Sequence, residues 1–205
     1  MSLYRDHVLP RVINRVCATK LSDRLRERAC APLTGRVVEI GFGSGLNVPH
    51  YPAAVTRVDA VDPSEVAWHL ASDRVAAAAV PVTWTGRDAQ YLPYDDSTFE
   101  AALSTWTMCT VPDPRRALAE IRRVLEPGGR LCFVEHGLAP DANVQRWQHR
   151  LEPLQQRLAG GCHLTRQIAP LLLDSGFDLV EVDAFYEPGA PRVVGAATLG
   201  IAESR

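Results

Sequence analysis

Apolar and polar positions alternate with two different periods along this chain, and the switches between them outline the elements. Residues 3–31 read as helix, interrupted near Ala18–Lys20, and Pro32 closes that stretch. "RVVEI" (36–40) is short, continuous and β-branched, as a strand buried on both faces reads. "VDAV" (58–61), "VTWTG" (82–86), "FEAALSTW" (99–106) and "RLCFVEH" (130–136) give four more strands. The second ends at Asp62-Pro63-Ser64, where Ser64 caps a helix over 65–79. Ala117, Leu118, Ile121, Val124 and Leu125 share one helical face with arginines opposite, and Pro127-Gly128-Gly129 stops that helix. Helical stretches over 142–159 and 165–175 follow, and "DLVEVDAF" and "RVVGAATLGIA" close the chain as a strand hairpin.

Strands alternating with helices predict an α/β fold. The expected form is a Rossmann-like, mostly parallel sheet of seven strands, with an antiparallel edge hairpin and helices on both faces. No internal repeat or Gly/Ser linker divides the sequence, so a single domain over 1–205 is expected. Ligands in such sheets bind beyond the carboxyl ends of the strands, which directs attention to the residues just after strands one to five.

Composition narrows the partners. The 205 residues are 46% hydrophobic and 22% charged, with net charge −2, as in a soluble globular protein without a basic footprint for nucleic acid. No apolar run approaches the ~18 residues of a membrane span. The scattered charges of the N-terminus do not form a signal peptide. Five widely spaced cysteines (Cys17, Cys30, Cys109, Cys132 and Cys162) form no CxxC pair, which favours a reducing, cytoplasmic setting over a disulfide or zinc framework. Cys162 beside His163 has no further ligand at metal spacing, so no metal is expected.

Gly41, Gly43 and Gly45 follow the first strand directly, where glycine permits positive φ and close approach of a ligand to backbone. A dinucleotide fingerprint needs glycine where Leu46 stands, and a P-loop needs a lysine that is missing. "VVEIGFGSG" (37–45), with its preceding acid Glu39, instead resembles the first motif of class I S-adenosylmethionine-dependent methyltransferases, of the type 11 domain. Asp62 stands where that family's acidic residue binds both ribose hydroxyls. "GRDAQYLPYDDSTFEAALS" (86–104) resembles the stretch whose Asp and neighbour hold adenine, here Asp88 and Ala89. "STWTMCTVPDPRRALAEIRRVLEPGGRL" (104–131) resembles the fourth motif and the helix and turn after it. The resemblance implies a cofactor site of Glu39, Gly41, Gly43, Gly45, Asn47, Asp62, Pro63, Asp88, Ala89, Ser104 and Trp106. Carbonyls near Gly41 and Ser104 suit an ammonium, and an aromatic face from Trp106, Phe42 or Tyr4 suits a sulfonium.

A narrower likeness runs through "GFGSGLNVPHYP" (41–52), "FVEHG" (133–137), "WQHRLEPL" (147–154), "GGCHLTR" (160–166) and "YEPGAPRVVGAATLGIA" (186–202). These resemble the methyltransferase-like group that includes the eukaryotic membrane-bound alkyl thiol S-methyltransferases. The group's apolar anchor is replaced here by a charged, amphipathic segment, which weakens transfer of membrane residence and of a lipophilic thiol. The likeness implies a small-molecule methyl acceptor, with a thiol as the favoured class. A phospholipid amine, a quinone carbon, or cofactor binding without catalysis are the alternatives.

Two segments are expected to cover the acceptor: an N-terminal helical lid (1–31) with Tyr4 and His7, and an insertion over 140–164. Val144, Trp147, Leu151, Leu154 and Leu158 form one apolar helical stripe, read as roofing the pocket or packing on the core. His136, at the end of the fifth strand, is the candidate to take the acceptor's proton. Trp147, His163 and Arg166 complete the expected acceptor contacts.

Overall fold

The computed structural model describes residues 3–86 and 88–205. Met1 and Ser2 of the expected lid, and Arg87 of the 86–104 stretch, lie outside the described residues. The strands are β1 (Gly35–Ile40), β2 (Val55–Val61), β3 (Val82–Gly86), β4 (Phe99–Thr105), β5 (Leu125–His136), β6 (Phe177–Tyr186) and β7 (Ala196–Ser204). They form one sheet in the order β3-β2-β1-β4-β5-β7-β6. β7 runs antiparallel to both β5 and β6, so the reversed strand lies one in from the edge and β6 is outermost.

Register sets the site. Ile40 is level with Val61 on β2 and Ser104 on β4. The residues that follow, Gly41, Asp62 and Thr105, therefore lie side by side at the carboxyl edge of the sheet, with Thr105 still paired to Val134 of β5. The chain steps outward from β1 to β2 and β3, then crosses back to β4. That reversal makes the β1/β4 boundary the crevice where such sheets take ligands.

The helices are α1 (Leu9–Val16), which continues a π-helical turn over Tyr4–Val8, then α2 (Lys20–Cys30), α3 (Glu65–Leu70), α4 (Ser72–Ala76), α5 (Pro114–Val124), α6 (Ala142–Leu158) and α7 (Ile168–Asp174). Side-chain caps start three of them. Thr19 accepts from Ser22 N–H, Ser64 from Ala67 N–H and Asp113 from Arg116 N–H. The single helix expected over 65–79 is divided at Ala71, where Ser72 Oγ donates to His69 O at 2.7 Å and competes with the helical ladder.

The sheet buries a different set of side chains on each face. Leu118, Ile121 and Val124 of α5 and Leu171 and Leu172 of α7 pack with Phe99, Phe133 and Phe177. Leu25, Ala29 and Cys30 of α2 pack with Val37, Val58, Leu103 and Val134. These two layers hold the strand ends, and thus the loops beyond them, in fixed relation. Among the described residues no helix is long and apolar enough to cross a membrane.

Candidate active site

The three loop glycines have different roles. Gly41 has φ +73°, and a Cβ there would lie 1.9 Å from Thr107 Oγ1. Gly45 packs against Ala71 and the Phe42 ring. Gly43 has φ +56°, with nothing nearer to a Cβ than Gly41 O at 3.8 Å, so its bare face opens onto space. Asp62 fastens this loop. Its Oδ2 accepts from Gly43 N–H at 2.8 Å and its Oδ1 from Ser64 N–H at 2.8 Å. Burial raises the Asp62 carboxyl, against the lowering effect of those two donors.

The loop walls a cavity of about 420 Å³, within the usual range for small-molecule sites. Of the residues the resemblance implies for the cofactor, Gly41, Gly43, Asp62, Pro63, Asp88, Ala89 and Trp106 line this cavity. Glu39, Gly45, Asn47 and Ser104 do not. Ser104 is buried in β4 and donates from Oγ to Glu135 Oε1 at 2.7 Å. Glu39 and Asn47 lie beneath the loop as its polar support. Asn47 Nδ2 donates to Glu39 Oε1 at 2.9 Å and to Thr105 Oγ1 at 2.9 Å, while Tyr51 OH donates to Glu39 Oε2.

Arg26 is a charged lining residue that sequence reasoning missed. It is 5% exposed. Its Nη1 donates to Asn47 Oδ1 at 2.8 Å and Thr105 Oγ1 at 3.1 Å, and its guanidinium lies 4.7 Å over the Trp106 ring. Among the described residues its buried Nε has no hydrogen-bond partner. In the sequence it is one charge among many in an amphipathic helix. The weak signal was its place on the same α2 face as Leu25 and Ala29, which is the buried one.

Burial pushes the Glu39 carboxyl up to about 7, against the Tyr51 and Asn47 hydrogen bonds and the Arg26 charge. An unfolded glutamate titrates near ~4.3. The folded chain therefore holds the proton more tightly, and this stabilisation is complete below about pH 4 and lost as pH rises through 7. Glu39→Gln should flatten that decline, on the order of 3 kcal/mol across the window. Thermal midpoints measured from pH 5 to 8 check this; parallel curves for the two proteins would show that Glu39 does not titrate there.

The cavity is also walled by Leu9, Pro10, Ile13 and Cys17 from the N-terminal segment, Thr107 and Thr110–Pro112 after β4, and Ala159 and Gly160 after α6. The expected acceptor contacts fall elsewhere. Tyr4 OH donates to Leu158 O at 2.7 Å, tying the N-terminal segment to the end of α6. His7 is exposed and away from the cavity wall. His163 Nδ1 lies 2.8 Å from Glu152 Oε1, and Glu152 Oε2 accepts from Leu164 N–H at 2.7 Å. Arg166 Nη1 donates to Met108 O and Val111 O, so it holds the loop after β4 from behind.

The α6 stripe also departs from expectation. Trp147 and Leu154 are each 54% exposed, and Leu151 and Leu158 face solvent with them. The stripe neither roofs the pocket nor packs on the core. The helix turns a polar face inward instead: buried Gln148 accepts from Ala139 N–H at 2.9 Å and donates to Gly137 O at 3.0 Å, with Glu152 one turn further on. Satisfied hydrogen bonds to loop backbone decided its orientation, and periodicity alone does not register them.

His136 stands behind the cavity wall rather than on it, with its ring centroid 6.2 Å from that of Trp106. Its neighbours are Cys109 and Cys162, and one donor atom from each of the three lies within 4.8 Å of the others. Cys162, read from sequence as lacking partners, thus has two supplied by the fold. The hydrogen bond from Cys109 lowers the Cys162 thiol and raises Cys109. Burial works against a charged His136 ring, but hydrogen bonding to Cys162, with the charges of Cys162, Glu187 and Glu135, raises it.

Comparison with known proteins agrees with this geometry. The sequence model of the family described as "Methyltransferase domain" matches residues 38–133. Thiol S-methyltransferase TMT1B of Rattus norvegicus is 30% identical over 172 residues, covering 78% of this chain and 69% of that protein. Phosphatidylethanolamine N-methyltransferase of Cereibacter sphaeroides is 33% identical over 167 residues, covering 79% of this chain and 81% of that protein. A structure from Thermotoga maritima, described as an S-adenosylmethionine-dependent methyltransferase and possible histamine N-methyltransferase, superposes with TM-score 0.67 at 25% identity. It covers 98% of this chain and 100% of its own.

Proposed function

Because the chain belongs to the S-adenosylmethionine-dependent methyltransferases, we propose that it methylates a small thiol within this cavity. The residues present fit the cofactor. Gly43 leaves open space where a Cβ would intrude, Asp62 presents a carboxylate, and Arg26 carries an unpaired buried N–H. In this reading Asp62 accepts from the ribose hydroxyls, Asp88 and Ala89 meet the adenine, and Arg26 meets the methionine carboxylate.

S-adenosylmethionine supplies a methyl group already activated by a positively charged sulfur. The chain's task is to align the acceptor and exclude water. Leu9, Pro10 and Ile13 add apolar surface to the cavity wall. Tyr4 ties their segment to α6. We assign that segment the role of a lid on this ground.

The observation that carries the thiol reading is the wall chemistry. Apart from Cys17 and Arg26, the described residues that line the cavity away from Asp62 and Asp88 carry no titratable group. An amine acceptor calls for a carboxylate nearby to hold its positive charge, and a carbon acceptor calls for a base on the wall. A thiol, with a free pKa near ~8.5, ionises enough near neutral pH to need neither. The relationship to a thiol S-methyltransferase points the same way.

The test is S-adenosylhomocysteine release from purified protein with panels of small thiols, primary amines, phosphatidylethanolamine vesicles and quinols. Turnover with thiols, and at least about tenfold less with the other panels, is expected. Turnover confined to amines, lipids or quinols would replace the thiol reading.

A further inference from the structure

Three segments meet just behind the cavity wall. They are the loop after β4 carrying Cys109, the end of β5 carrying His136, and the loop after α6 carrying Cys162. His163 N–H donates to Cys109 O at 2.8 Å, which holds the last loop against the first. Cys109 and Cys162 are buried, and the His136 side chain is 25% exposed.

We propose that Cys109, His136 and Cys162 form a zinc-binding site that staples these three segments together. Two thiolates and an imidazole are a ligand set zinc accepts, with a fourth tetrahedral position left for water or a small thiol. Bonds of about 2.3 Å to sulfur place tetrahedral sulfur ligands roughly 3.8 Å apart. The donor atoms here already lie within 4.8 Å of one another, so small side-chain rotations close the site.

Charge and hardness select the ion. A divalent zinc neutralises two thiolates, which makes a net uncharged cluster compatible with burial. Two sulfur ligands disfavour magnesium and calcium, which take oxygen. Glu187 supplies the outer carboxylate that metal-bound histidines commonly lean on. Its Oε1 lies 3.7 Å from His136 Nε2 and is itself held by Trp106 Nε1 at 3.0 Å. Trp106 lines the cavity, so the metal cluster would be linked to the pocket through one side chain.

Reduced full-length protein is stripped with chelator, reloaded with zinc chloride and passed through gel filtration. Elemental analysis should find one zinc retained per chain, and zinc should raise the thermal midpoint. Cobalt in place of zinc should give a near-ultraviolet thiolate charge-transfer band and tetrahedral visible bands. Cys109→Ala, His136→Ala and Cys162→Ala should each weaken metal retention by at least about tenfold, with S-adenosylmethionine binding reporting that the chain is folded. Failure of the wild-type chain to retain zinc and to show the cobalt thiolate band overturns the site, even if every variant unfolds. So does zinc retained undiminished by the Cys109→Ala/Cys162→Ala double variant, or a Cys109–Cys162 disulfide in freshly prepared metal-free protein. These readouts do not involve the methyl acceptor, so they stand or fall apart from the thiol reading.

Discussion

Replacing Asp62 with alanine should weaken S-adenosylmethionine binding by at least about 100-fold in calorimetry. Two losses combine. A carboxylate that accepts from both ribose hydroxyls contributes two hydrogen bonds to a charged group, each worth about 1.5–3 kcal/mol. At about 1.4 kcal/mol per tenfold, even the lower figure for the pair gives roughly two powers of ten. The same carboxylate orders the site before any ligand arrives, since it accepts from Gly43 N–H and Ser64 N–H. Without it the glycine loop loses its fastening and the helix start at Ser64 loses a partner. Asp62→Asn keeps the shape and one acceptor oxygen and should fall between the two. Wild-type affinity in Asp62→Ala would remove Asp62 from the cofactor site.

That prediction could be made before the structure, and the reason is local. The β-branched run over 36–40 and the glycines after it encode a buried strand and a turn that needs positive φ. Asp62 follows "VDAV" directly, and parallel register puts the residues after neighbouring strands side by side. Such features depend on a few consecutive residues and on the rule that ligands gather at the carboxyl edge. The α5 stripe was legible for the same reason, since its apolar face has only the sheet to meet.

The illegible parts depend on which distant segments meet. Cys109, His136 and Cys162 lie far apart in sequence, and only the meeting of two loops with the end of β5 brings their donor atoms together. The α6 stripe misled because inward burial was assigned to apolar residues, while Gln148 and Glu152 had backbone groups of loops to satisfy. Histidines 136 and 163 were read as pocket residues because they follow structural elements near the rim. Neither lines the cavity: His136 lies with Cys109 and Cys162, and His163 is bonded to Glu152.

Arg26 was hidden by composition, and its removal should have the second large effect. Arg26→Ala should lower the thermal midpoint by about 6–12 °C, from roughly 3 kcal/mol lost in a chain of this size. The guanidinium is a buried cation whose loss leaves Asn47 Oδ1 without its donor at 2.8 Å and Thr105 Oγ1 without its donor at 3.1 Å. It also removes a charge that holds the buried Glu39 carboxyl down. Cofactor affinity should fall by at least about tenfold, because in the proposed reading Arg26 gives a charge-assisted hydrogen bond to the methionine carboxylate. Arg26→Lys separates the two roles. A lysine keeps the positive charge near Glu39 and should recover much of the thermal midpoint. It cannot reproduce the planar guanidinium that bonds Asn47 and Thr105 through Nη1 while lying over Trp106, so affinity should stay low. Recovery of affinity in step with stability would make Arg26 a scaffold residue alone, and the methionine carboxylate would then need another partner on the wall.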